Sequence, residues 1–88
     1  MVWTVKIDKS AIEDLASLDK PIAKRITTFI KERLQSLDNP RMVGKNLIGN
    51  LSGLWRYRVG DYRVIAKIED ELLLVLVISI AHRKDAYS

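Results

Sequence analysis

The stretch GLWRYRVGDYRVIAKIED, residues 53–70, alternates aromatic and aliphatic residues with basic ones on both sides of a Gly-Asp pair. Alternation with a period of two marks a strand whose two faces meet different surroundings, and a two-residue link led by glycine closes a tight hairpin. With Gly60 and Asp61 as the link, Val59 pairs with Tyr62, Arg58 lies opposite Arg63, and Arg56 lies opposite Ile65. Directly opposed residues share a face. Arg56, Arg58 and Arg63 therefore project from one side of the hairpin, and Trp55, Tyr57, Val59, Tyr62, Val64 and Ala66 from the other. Like charges facing one another across a ladder are destabilising, on the order of a few tenths to one kcal/mol per pair. One explanation is a solvated face on which long side chains splay apart. The other is a site: this face lacks the acids that interrupt a solvated surface, and the planar fork of arginine matches a phosphate or a carboxylate.

Working outward from the hairpin, VWTVKI at residues 2–7 alternates like a first strand. Ser10 and Glu13 have the spacing of a capping box, and Ile12, Leu15, Ala16 and Leu18 predict a short amphipathic helix after it. Pro21 suits the first turn of a second helix, whose apolar positions Ile22, Ile26, Phe29, Ile30, Leu34 and Leu37 keep helical spacing until Asn39-Pro40 stops it. From Arg41 to Gly53 periodicity disappears and three glycines occur, Gly44, Gly49 and Gly53, which marks a connection. After the hairpin strands, Leu54–Val59 and Tyr62–Ile68, the charged turn Glu69-Asp70-Glu71 leads to an apolar run at residues 72–80. That run reads as a central strand covered on both faces. The expected fold is α+β in the order β-α-α-β-β-β. Two N-terminal helices pack on a small, mostly antiparallel four-stranded sheet, with residues 1–88 forming a single domain.

A chain of 88 residues supports one core, so any site lies on an open face or in a shallow groove. The formal net charge of +4 favours an anionic partner, and the excess is local. Between Arg41 and Lys67 six basic side chains (Arg41, Lys45, Arg56, Arg58, Arg63 and Lys67) stand against one acid, Asp61. Without cysteine there is no disulfide framework and no thiolate, and a cytoplasmic setting is the simplest. The N-terminus has neither the basic nor the apolar section of a signal peptide, and the longest apolar run falls short of a membrane span. No Asp, Glu and His cluster has metal-ligand spacing and no glycine-rich loop leads into a helix, so neither a metal nor a cofactor is expected. Trp3 and Trp55 read as core residues, not as platforms for bases.

The tail ISIAHRKDAYS adds His82, Arg83, Lys84 and Tyr87 close behind the last strand. Metal-free cleavage of RNA needs a base for the ribose 2′-OH, cations for the charge that develops on phosphate, and a donor for the leaving 5′ oxygen. Arginine suits the second role and is a poor base, because it stays charged. Tyr87 and His82 remain as candidate bases: neighbouring guanidiniums favour a phenolate, and imidazole works near neutral pH unaided. A lone histidine at a strand end is more often structural.

The element order, the LxGLWRYRVGDYRVIAKI hairpin and the closing AHRKDAY resemble the RelE branch of the RelE/ParE superfamily of toxins from toxin–antitoxin systems. The resemblance spans nearly the whole chain and is most specific in GDYRVI combined with the terminal HRxDxY. It implies a metal-independent endoribonuclease that enters the ribosomal A site, cuts messenger RNA and so inhibits translation. It also implies neutralisation by a RelB-like antitoxin whose acidic segment folds on the toxin, with operator DNA bound only through that complex. By the same resemblance Arg56, Arg58 and Arg63 hold the phosphate, Tyr87 orients or deprotonates the 2′-OH, and Arg83 assists the leaving oxygen. Arg41, Lys45, Lys67 and Lys84 are the further RNA-binding candidates. This chain departs from the family pattern where relatives carry lysines on the first hairpin strand and Arg56 and Arg58 stand here. With one residue after Tyr87, it also leaves no room for the C-terminal helix of many relatives. Two other activities are compatible with the same pattern: a ParE-like inhibitor of DNA gyrase, and a catalytically weak relative that works within antitoxin and operator complexes.

Overall fold

The computed structural model describes residues 3–36, 39–47 and 53–82. Strand β1 (Thr4–Ile7) is followed by helices α1 (Lys9–Ala16) and α2 (Lys20–Thr28), then by β2 (Lys45–Asn46), β3 (Leu54–Val59), β4 (Tyr62–Glu69) and β5 (Leu74–His82). The sheet order is β1-β5-β4-β3-β2, with β1 parallel to β5 and the other neighbours antiparallel. The sheet thus has five strands, not the expected four. The fifth, β2, is two residues long and lies in the stretch without periodicity, where a pattern of period two cannot register.

The β3–β4 register is the one that the Gly60-Asp61 link requires, with Val59 opposite Tyr62, Arg58 opposite Arg63 and Arg56 opposite Ile65. Gly60 has φ of 60° while Asp61 stays in the ordinary half of backbone space, the pattern of a II′ turn that demands glycine first. Helix-facing residues of the hairpin are core: Tyr57, Val64 and Ala66 are buried completely, together with Val75 and Val77 of β5.

Strand β5 begins two residues later than the sequence implied. Leu72 is exposed in the preceding turn and Leu73 adopts φ of 48°, a left-handed conformation that its side chain gives no hint of. The strand lies inside the sheet, between β1 and β4, as expected. Its helix side is buried, whereas Leu74, Leu76 and Ile78 are half-buried, so one face is covered fully and the other in part. The β4–β5 register shifts between Ile65, paired with Ser79, and Ala66, paired with Val77, which leaves Ile78 as the extra residue of a bulge. The bulge reverses the alternation and brings Ile80 onto the helix side, opposite Val64.

Helix α1 is fastened at that bulge. The Ser10 hydroxyl donates to the Ile78 carbonyl (2.7 Å), and the Asp14 carboxylate accepts from the Ile80 amide (3.0 Å). Ser10 is not the N-cap: Asp8 is, and its carboxylate accepts from the Ser10 amide and hydroxyl (3.3 and 2.8 Å). The backbone of Asp8 still donates to Val77 of β5, so the helix can start as soon as the strand ends. Those Ser10 hydrogen bonds hold the Asp8 carboxyl below the usual carboxylate range. The inward stripe of α1 is Ala11, Leu15 and Leu18, and Ile12, expected inside, is 54% exposed.

In α2 the buried positions Ile26, Ile30 and Leu34 run four apart. The helix widens into π-helical turns over Phe29–Leu34, with the Gln35 amide reaching back to the Ile30 carbonyl (3.3 Å). Leu37 lies outside the described residues. Trp3, just ahead of β1, is buried in the core as expected. Among the described residues no helix is long and apolar enough to cross a membrane.

Candidate functional site

Both helices cover one side of the sheet, so the period of two in β3 and β4 sends Arg56, Arg58 and Arg63 to the opposite side. There they line a concavity of about 180 Å³ with Val43 and Lys45. No described acid lines it. Lys45 comes from β2, directly opposite Arg56, and the four bases form two facing pairs in adjacent ladders: Lys45 with Arg56, and Arg58 with Arg63.

Arg63 is the unusual member, only 7% exposed. Its Nε and Nη1 are buried and have no hydrogen-bond partner among the described residues. A buried guanidinium left without an anion costs several kcal/mol. Arg58 is exposed and its Nε donates to the Gly60 carbonyl at 3.4 Å, which keeps its head near the turn. Guanidiniums in this arrangement offer donors that a small anion with several acceptor oxygens could accept from.

The remaining predicted residues separate. Arg41 does not join the cluster: it forms a bidentate pair with Asp70 (2.7 and 2.8 Å) and its guanidinium lies 5.5 Å from the centroid of the Trp55 ring. The Asp70 carboxylate raises the pKa of Arg41, and Arg41 in turn holds Asp70 below its ordinary value. Lys67 is on the arginine side but pairs with Glu69 (3.0 Å). His82 faces the helix side: it is opposite Tyr62, with the two rings edge to face at 5.1 Å. Arg83, Lys84 and Tyr87 lie outside the described residues. Ala81, opposite Arg63, puts the end of β5 beside the cluster.

Three features that the sequence reading missed position this site. The buried Tyr57 hydroxyl donates to the Pro40 carbonyl (2.7 Å), and burial pushes the phenol up to about 12, so it is a structural donor. Gly44 lies against that ring; a Cβ there would come within 2.9 Å of it and 3.2 Å of the Arg56 carbonyl oxygen. Beyond the hairpin, a groove of about 510 Å³ runs between α2 and β3, lined by the apolar Phe29, Val43 and Val59 and by three arginines, Arg25, Arg33 and Arg58, against one acid, Glu32. Arg25 and Arg33 are eight residues apart on one helical course, a spacing that does signal a shared face.

A five-stranded sheet with two helices on one side and a cationic concavity on the other defines a small toxin fold, and the comparisons give its family. Residues 5–87 match the family described as ParE toxin of type II toxin–antitoxin system, parDE. Toxin RelE of Mycobacterium tuberculosis is 40% identical over 97% of this chain and 86% of its own length, and Toxin RelG of the same organism is 33% identical over 99% and 98%. The toxin–antitoxin complex RelBE2 of M. tuberculosis contains a chain that superposes with a TM-score of 0.85 at 31% identity, covering 94% of this chain and all of that one. A chain of the archaeal RelE–RelB complex from Pyrococcus horikoshii superposes with a TM-score of 0.72 at 30% identity, covering 98% and 100%. The chain belongs to the ParE toxin family of type II toxin–antitoxin systems and is a RelE-type member of the RelE/ParE superfamily.

Proposed function

We propose that this toxin is a metal-independent, ribosome-dependent messenger RNA endoribonuclease held in check by a cognate antitoxin. The observation that carries the reading is Arg63: a buried guanidinium whose Nε and Nη1 find no acceptor among the described residues, in a concavity that it shares with Arg56, Arg58 and Lys45 and that no described acid lines. A phosphodiester supplies the missing acceptors, and the three guanidiniums, with Arg63 held by burial, stabilise the added negative charge of a pentacoordinate phosphorus. The 2′-OH is the nucleophile, Tyr87 takes its proton, and Arg83 steadies the leaving oxygen. His82 faces the other side of the sheet, which favours Tyr87 over it as the base.

Two of the solved structures it resembles are toxin–antitoxin complexes, RelBE2 and the archaeal RelE–RelB, and this chain offers an antitoxin the groove between α2 and β3. Its apolar lining and three arginines suit an acidic amphipathic segment that folds on contact. Operator DNA is reached only through that complex.

The test is induced expression of wild type and of Arg63→Ala with 5′ ends of cellular messenger RNA mapped within minutes. In-frame cuts at translated codons with wild type, absent with Arg63→Ala, are expected. The family model carries the ParE name, which keeps a gyrase-directed activity as the second reading. Growth arrest with DNA-damage signalling and without such cuts would establish that reading in place of the first.

A further inference from the structure

We propose that Lys45 is the general acid that protonates the leaving 5′ oxygen, an assignment that rests on the nuclease reading above. Among the described residues four basic side chains line the concavity, and three of them are guanidiniums, which hold charge and do not surrender a proton. An ammonium on a flexible stem is the one group among them that can part with a proton and recover it from solvent. The other described candidates point elsewhere. His82 is on the helix side of the sheet, and the Tyr57 phenol is buried and committed to the Pro40 carbonyl.

The fold also fixes the position of Lys45. Strand β2 is only two residues long, yet it is tied down on both sides. Before it stand the Arg41–Asp70 ion pair, the Tyr57–Pro40 hydrogen bond and the close approach of Gly44 to the Tyr57 ring. After it the Leu47 amide donates to the Leu54 carbonyl (2.9 Å). The outcome is an exposed ammonium held opposite Arg56, at the rim of a site whose deepest cation is Arg63. Among the described residues, Lys45 takes part in no ion pair.

In the step itself the 2′ oxygen attacks phosphorus and its proton passes to the base. The bond from phosphorus to the 5′ oxygen breaks with its electron pair on that oxygen. The Lys45 ammonium delivers a proton there. The products are a 2′,3′-cyclic phosphate, a 5′-hydroxyl and a neutral amine that solvent reprotonates.

The experiment compares wild type, Lys45→Arg, Lys45→Ala and Arg63→Ala on ribosome-bound messenger RNA. The scissile linkage carries either the natural 5′ oxygen or a bridging 5′ sulfur, whose thiolate departs without a proton. Lys45 is exposed, so its variants keep the core, and a thermal melt of each verifies this. On the oxygen substrate both Lys45 variants are expected to cleave about 100-fold or more slowly, the usual weight of a general acid. On the sulfur substrate they recover to near the wild-type rate, while Arg63→Ala stays slow on both. Wild-type cleavage of the oxygen substrate by Lys45→Arg, or an equal defect of both Lys45 variants on the two substrates, overturns the assignment and leaves the nuclease reading standing. Failure of wild type on both substrates overturns the nuclease reading and the assignment with it.

Discussion

The two faces of this sheet are made from the same strands and obey opposite rules. On the helix side Tyr57, Val64, Ala66, Val75 and Val77 are buried completely, and the Tyr57 hydroxyl has its hydrogen bond. On the other side Arg63 is nearly as buried, and two of its nitrogens have no partner among the described residues. One face is a satisfied core. The other holds a buried cation with unmet donors, which is where the proposed chemistry would place an anion.

That contrast predicts opposite signs for substitutions on the two sides. Ile30→Ala, beneath the helix face, empties a fully packed position and should lower stability by about 2–5 kcal/mol, read as a fall in the chemical denaturation midpoint. Arg63→Met should do the reverse, raising stability by about 1–4 kcal/mol because an unpaired charge gives way to an apolar chain of similar length, while cleavage is lost. A destabilised Arg63→Met protein would mean that the two faces do not differ as described.

Gly44 tests the junction between the faces, since it packs on Tyr57 from the core and precedes Lys45 of the cationic site. Gly44→Ala places a Cβ against both the ring and the Arg56 backbone, and should cost about 1–3 kcal/mol. If β2 is what carries Lys45 to the site, activity should fall further than the melting temperature accounts for.

The smallest effect is electrostatic. The folded Asp70 carboxyl lies below its ordinary value because Arg41 donates to it, so the pair contributes stability above the unfolded carboxylate range and loses it as pH falls through the folded pKa. Asp8, lowered by Ser10, acts in the same direction. Thermal melts between neutral pH and pH about 3 should therefore show a shallower acid loss for Asp70→Asn than for wild type. Equal slopes would indicate that Arg41 and Asp70 do not stay paired in solution.

How much was legible follows from the range of the signals. The hairpin register was readable because period two and a Gly-led link are local, and Arg58 opposite Arg63 follows from counting. The core positions of α2 were readable for the same reason. In α1 Leu15 and Leu18 pack inward as read, but the first position of the stripe falls on Ala11 instead of Ile12, and Ala16 is exposed. Ile12 is the more apolar residue, but the tether of Ser10 and Asp14 to the β5 bulge sets the rotation of the helix, and Ala11 goes inside. Arg41 and Lys45 looked alike as loop bases. Asp70, far along the chain, claimed the first, and pairing with β3 brought the second to the site.

By itself, then, the sequence determined the order of elements apart from the two-residue β2, the pairing of β3 with β4 and the gathering of three arginines on one face, since each depends on residues close together in the chain. Only the tertiary structure decided that Arg63 would be buried with two nitrogens lacking a described partner, that Lys45 would join it and that His82 would turn to the opposite side. Those outcomes depend on which segments meet across the sheet and on a one-residue bulge in β5. Side-chain facing reverses with every single-residue shift of register, so no local pattern carries that information.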